Sequence, residues 1–389
     1  NLNIPRYVDS SDKAESWDIY ASMFGGLPIS EINELGEYWT AFPTLKTALL
    51  EKTAGEYFRI VAADIKKAVK EHSNVQAFEQ SFKNAFGNFD EYLYDELIAN
   101  MDTLGISKTE DVLSSDIFAR LKGIPLVDKY TAYQLLDDDW TKIAIDLEIL
   151  QTEGFEAAKV VDPNMVVKKK GNSEQEVQEG WKGRIIPFDL VQNTLLSDEK
   201  QRVQQKESRL SEITSEYEEL LDTLTEEEKE ADYVNEDSFV FAEVKKALKL
   251  KDIEPETKKK LKAAFALNTE EKALKSEIKT ESALLEEKTK ETIESLSEEQ
   301  VIELLKEKWI NPLIRNLMQL PDGIVSELVT KLEALAKKYE TTFAEVERQI
   351  EETEKELSSM MDELEGSEFD LLGLQEFKKL LGGETHDGN

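Results

Sequence analysis

The sequence predicts a mainly α fold: a helical globular subdomain with a few short strands, followed by long coiled-coil-like helices forming an antiparallel hairpin or bundle. Three observations predict it. Apolar residues recur at helical spacing along most of the chain. In the second half they settle into heptads with charges on the other faces. Two capping-box spacings, Thr225-Glu226-Glu227-Glu228 and Ser297-Glu298-Glu299-Gln300, mark helix starts within that half.

The texture of the chain suggests three parts, 1–24 as a lead-in and linker, 25–190 as the globular subdomain, and 191–389 as the long-helix region. Up to about Leu190 aromatics are frequent, and Gly and Pro punctuate at Phe24-Gly25-Gly26-Leu27-Pro28, Phe42-Pro43, Gly123-Ile124-Pro125 and Ile186-Pro187. The apolar spacing predicts helices near 29–41, 43–53, 62–72, 75–86, 88–101, 108–121 and 127–150. Clustered β-branched residues predict short strands at 56–61, 158–168 and 184–188, with polar 169–180 as an exposed loop between the last two. Beyond Leu195, Val203, Leu210, Ile213, Tyr217, Leu220 and Leu224 form a first heptad seam. A weaker second seam runs through Leu267, Leu274, Ile278 and Leu285. A third uses Leu328, Leu332, Leu335 and Tyr339, after which Thr342 restarts a helix carrying Phe343, Val346, Ile350, Leu357 and Leu364. The seams are filled either within the chain, by 196–224 folding back on part of 265–296, or by another protein, because heptads do not say whose helix is the partner. After Leu381 the ending is polar and Gly-rich and is expected to fray.

Composition narrows the function. The 48 Lys and Arg face 82 Asp and Glu, so the net charge is −34 and the chain repels phosphate instead of wrapping it. The absence of cysteine removes disulfides, thiolate zinc sites and cysteine nucleophiles together. No apolar run approaches the length of a membrane span, and the expected location is the cytoplasm.

Candidate chemistry is sparse. There are two histidines, His386 in the loose ending and His72 at the polar end of a helix, where a surface role is the default reading. Asp137-Asp138-Asp139 could offer oxygens to a divalent cation, but the spacing of an EF-hand loop is missing and a solvated face beside a buried Trp140 is the expected outcome. Lys168-Lys169-Lys170 and Lys258-Lys259-Lys260 read as local charge balance. There is no P-loop and no G-x-G-x-x-G after a strand. Asn311-Pro312-Leu313-Ile314 lacks the second proline and the aromatic ring with which amino-methyltransferases hold a flipped base. No catalytic, cofactor or metal residue is therefore nominated; for partner binding the last seam is, through Val346, Ile350 and Leu357, with core packing as the plainer alternative.

One stretch carries a specific likeness. Asn1-Leu2-Asn3-Ile4-Pro5-Arg6-Tyr7-Val8 resembles the segment closing the methyltransferase domain in the modification subunit of type I restriction-modification systems, the adenine-N6 DNA methyltransferase. Further stretches are similar to the long carboxy-terminal extension of one branch of that family. They are Gly25-Gly26-Leu27-Pro28 with Tyr38-Trp39 and Phe42-Pro43; Leu126 to Tyr130 with Tyr133-Gln134 and Trp140; Gly180-Trp181 with Gly183 and Ile186-Pro187; Lys308-Trp309-Ile310; and Glu365-Gly366 to Leu381. The resemblance implies that 1–24 is the tail of a methyltransferase domain lying upstream, and that S-adenosylmethionine serves that domain and not this chain. It implies docking onto the specificity subunit, in an assembly that includes the restriction subunit and meets DNA indirectly. Neither the Phe-x-Gly-x-Gly turn nor the Asn-Pro-Pro-Phe loop of the family occurs here, so no catalytic role carries over. The competing readings are a stand-alone acidic helical interaction protein or DNA mimic, and an enzyme built on an unrecognised carboxylate pair.

Overall fold

The computed structural model describes residues 17–53, 55–170, 173–236, 238–250, 253–361, 364 and 367–381. The Asn1 to Val8 stretch, His386 and the ending after Leu381 lie outside them. Helices dominate, and apart from one ribbon of two longer strands the strands are short, so the mainly α expectation holds. No described helix is long and apolar enough to cross a membrane. The 26- and 40-residue helices follow residue 190, but a 25-residue helix, Lys129–Glu153, precedes it. Grouping by contact runs differently, into one unit of the described residues through Gly87, Ile117–Tyr133 and the described residues from Asn316 onward, and a second of Asn88–Asp116 and Gln134–Arg315.

The second unit contains the helical hairpin. Its short arm, Ser197–Asp222, packs on the long arm, Pro255–Glu294, which opens with Pro in its first turn where no N–H is needed. The direction is antiparallel. Glu199 meets Lys288, Lys206 reaches Glu281 and Glu277 at 2.6 and 2.7 Å, and Arg209 forks both oxygens of Glu270 at 2.7 and 3.0 Å, so rising numbers on one arm meet falling numbers on the other. Between these pairs the seam buries Val203, Ile213, Leu267 and Leu285, while Leu274 and Ile278 are half-buried. The first two seams are thus filled within the chain.

At the far end of the hairpin a small core of Leu224, Val234, Phe239, Val244, Ala247, Leu261 and Ala264 closes over a two-stranded turn, Val234–Asn235 against Ser238–Phe239. Its entry is the predicted capping box: the Thr225 hydroxyl accepts from the Glu228 N–H, and the Glu228 carboxylate accepts from the Thr225 N–H at 2.8 Å. Glu228 also takes hydrogen bonds from Thr257 Oγ1 at 2.6 Å and Lys260 Nζ at 2.8 Å. Burial alone pushes the Glu228 carboxyl up, but the bonds from Lys260, Thr257 and Thr225 outweigh it and hold the pKa at about 2. The value lies below that of an unfolded glutamate, so this carboxylate stabilises the fold fully above about pH 4.3 and loses its contribution as pH falls toward 2. Glu228→Gln is expected to flatten that part of the stability profile, measured by urea unfolding from pH 6 to pH 2.5.

Of the polar stretch 169–180 expected as a loop, 169–170 end the first strand of a ribbon and 173–180 belong to its second. Val161–Lys170 pairs antiparallel with Ser173–Gly183, with Val166 opposite Val177 and a register shift between Pro163 and Met165. The predicted strand at 184–188 is absent, because the chain has already turned toward the Phe188–Thr194 helix. Two-stranded ribbons are marginal alone, and this one is anchored at its base. Arg184 forks the Asp162 carboxylate at 2.9 and 2.7 Å, the Trp181 N–H donates to Glu286 Oε1 at 3.0 Å, and the Lys290 ammonium stands 3.9 Å over the Trp181 ring. At Gly183 a Cβ would stand 1.9 Å from the Ile186 carbonyl oxygen. Gly183→Ala is therefore expected to cost about 1–3 kcal/mol through forced backbone movement, read as a lowered thermal midpoint.

Also in this unit, Leu136, Trp140, Ile143, Leu147 and Leu150 line the buried side of the Lys129–Glu153 helix, alongside one buried carboxylate, Asp146. Asp146 Oδ2 accepts from Lys308 Nζ at 2.5 Å and from Trp309 Nε1 at 2.8 Å, and Lys308 donates to the Ile185 carbonyl at 2.5 Å. Lys308 and Trp309 sit in a π-helical turn, Lys306–Ile310, between the Ser297-capped helix Glu298–Leu305 and the Asn311–Met318 helix. A second π turn, Tyr94–Ala99, interrupts the helix expected over 88–101.

The first unit holds a three-stranded antiparallel sheet of Leu27–Pro28, Tyr57–Ile60 and Leu50–Lys52, with Tyr57–Ile60 in the middle. The helix expected over 43–53 stops at Leu49, and 50–52 pair as strand instead. Helix Leu320–Lys338 packs on Ile65–Lys70 and Ser73–Ala85 and completes a core with Phe42, Leu45, Val69 and Phe78. The third seam is used up there, since Leu328, Leu332 and Tyr339 are buried and Leu335 packs partly against them. Glu31 secures its end, accepting from Lys338 Nζ at 3.0 Å and from the Tyr339 hydroxyl.

Candidate partner-binding surface

Helix Phe343–Met361 begins where the sequence predicts, with the Thr342 hydroxyl accepting the Glu345 N–H at 3.1 Å. Its apolar positions repeat with the heptad: Phe343, Ile350 and Leu357 stand at a, and Val346 and Met360 at d. Every one of them is open. The exposures are 57% for Phe343, 38% for Val346, 53% for Ile350, 39% for Leu357 and 66% for Met360. The following Glu368–Leu381 helix starts on a reciprocal cap, in which Ser367 N–H donates to Asp370 Oδ2 at 3.0 Å and the Asp370 N–H donates to Ser367 Oγ at 3.3 Å. The Ser367 hydroxyl and N–H bonds hold the Asp370 carboxyl below its ordinary value. This helix adds exposed Phe369, Leu371, Leu372 and Phe377. An apolar stripe of this kind, left open to water on consecutive turns, suits a partner helix.

The seam helix is also acidic, with six glutamates against Arg348 and Lys355. Arg348 pairs with Glu345 at 2.6 Å and Glu352 at 2.5 Å, which lowers the Glu345 pKa and raises that of Arg348; Lys355 lies 3.9 Å from Glu351. All of these sit at b, c and f, away from the stripe.

The other candidates make local structural contacts. His72 caps the Ser73–Ala85 helix, its Nδ1 accepting from the Asn74 N–H at 3.2 Å. Asp137 and Asp138 accept from Gln134, Asp139 pairs with Lys142 at 3.3 Å, and Trp140 is buried, as a solvated face requires. Among the described residues no group of carboxylates and histidines could hold a metal ion. Lys168 pairs with Glu179, and Lys260 with Glu228. Asn311 donates to Glu307 at 2.7 Å and borders a cavity of about 430 Å³ whose wall also carries Asp90, Glu91, Tyr94, Asp95 and Lys306. Val346, Ile350 and Leu357 remain, outside any core formed by the described residues. The sequence shows the stripe but cannot show how far it is exposed; among the described residues Ile19–Phe24 and Glu368–Leu381 touch this helix and still leave the stripe open. No protein family, no curated protein and no solved structure matches this chain.

Proposed function

We propose that this chain is the assembly and positioning region of a type I restriction-modification adenine-N6 DNA methyltransferase subunit, docking onto the helices of the specificity subunit. The observation that carries the docking role is the open heptad stripe of the Phe343–Met361 helix. The likeness of Asn1 to Val8 and of the dispersed aromatic and glycine stretches supplies the family. In this reading S-adenosylmethionine and the flipped adenine belong to the upstream catalytic domain, the specificity subunit reads the DNA, and the restriction subunit joins the same assembly in the cytoplasm. The acidic surface leaves phosphate contacts to other parts. The test is co-expression of the subunit, with and without residues 343–389, with its specificity subunit. Loss of the complex on truncation is expected. An intact complex, or binding of S-adenosylmethionine by the isolated chain, overturns the reading.

The charge of −34 favours one alternative, a stand-alone DNA mimic that occupies a basic cleft. Its binding would collapse between 50 and 500 mM salt, whereas a heptad interface persists.

A further inference from the structure

We infer that the helix completing the open seam of Phe343–Met361 carries its own apolar stripe flanked by lysine or arginine. The inference deepens the docking role proposed above by giving the chemistry of the docking helix. In a heptad the e and g positions border the a/d stripe and face the partner's flanks. With Phe343 at a, Glu347 and Glu354 fall at e and Glu356 at g. Among the described residues no cation pairs with any of these three. The two basic residues of the helix both lie at f, engaged with glutamates at b and c. The helix therefore neutralises part of its back face and leaves the borders of its apolar stripe negative.

That division decides among occupants. A second copy of this chain, packed antiparallel, would set e against e and g against g, so that glutamates oppose glutamates along an already acidic pair; like charges at these positions select against pairing. A partner with neutral flanks would leave the three carboxylates partly desolvated and unpaired. Lysine or arginine at the facing flanks gives each glutamate a counter-ion and fixes the register at the same time.

The experiment uses the whole chain and three labelled 28-residue helical peptides, followed by fluorescence anisotropy. One has leucine at a and d with lysine at e and g, the second replaces those lysines by glutamate, and the third keeps the lysines but has serine at a and d. Tightest binding of the first, by tenfold or more over both others, is expected. The triple variant E347K/E354K/E356K should invert the preference between the first two, and because all three positions lie on a surface helix the fold is retained. Equal binding of the first and third peptides reduces the effect to bulk charge and overturns the inference. So does an unchanged preference in the triple variant, or self-association of the chain that Ile350→Asp abolishes. Peptide preference as expected, together with an intact complex after truncation of 343–389, sinks only the specificity-subunit reading; loss of the complex without any peptide preference sinks only this one.

Discussion

Asp146→Ala is expected to destabilise the protein by about 3–5 kcal/mol, seen as a large drop in the urea midpoint, because it breaks a buried pair from one side. Asp146 is 5% exposed and is the acceptor for both Lys308 Nζ and Trp309 Nε1. Its removal strands an ammonium with only the Ile185 carbonyl and leaves an indole N–H with no acceptor. Asp146→Asn keeps the shape and one acceptor oxygen but not the charge, and should fall between wild type and alanine. Replacing Asp146 and Lys308 together by apolar residues should recover part of the loss, since a buried pair is often no better than a well-packed apolar substitute. Recovery in the double variant separates a stranded charge from a lost contact.

The second large effect is on assembly with almost none on stability. Ile350→Asp with Leu357→Asp places two carboxylates in the stripe of the Phe343–Met361 helix, where both native side chains are already open to water, 53% and 39% exposed. Exposed substitutions of this kind shift stability within about 0.5 kcal/mol each. Burying the remaining exposed half of each native side chain against a partner contributes about 0.7–1.5 kcal/mol. Losing two such contributions weakens a complex by roughly tenfold to a hundredfold. Under the proposed docking role, an unchanged melting curve with loss of the specificity subunit in co-purification is the expected pair of results. A retained complex removes the stripe from the proposed docking role.

Much of the fold was legible because it is local. Thr225 and Ser297 announce their helices through side chains three residues away, and both capping boxes form as spaced. The seam from Val203 to Leu224 declares a helix, and its partner became legible only as the arm that carries Glu270, Glu277 and Glu281 opposite Arg209 and Lys206. The ribbon was half-seen. Val161–Lys170 is rich in valine, but Ser173–Gly183 offers only Val177 and Trp181, and a strand with water on both faces has no alternation to display. The two π turns, Tyr94–Ala99 and Lys306–Ile310, leave no mark in composition. At the proposed docking surface the apolar spacing of Val346, Ile350 and Leu357 was plain. What spacing does not contain is accessibility, and the third seam shows why: Leu328 and Leu332 repeat in the same way yet are 0% and 1% exposed.

The unequal arms of the helical hairpin make it a ruler. The short arm of 26 residues spans about 39 Å at 1.5 Å per residue and the long arm of 40 residues about 60 Å. The core around Leu224, Phe239 and Leu261 is therefore carried at a set distance from the ribbon that clasps the same long arm at Glu286 and Lys290. Matched removal of one heptad from each arm would draw that tip in by about 10 Å while keeping the same faces in contact. Removing four residues instead would rotate the tip out of phase as well as shorten it. Reach and orientation at the end of this lever are thus encoded in residue count, and evolution can adjust either one without touching the core at its tip.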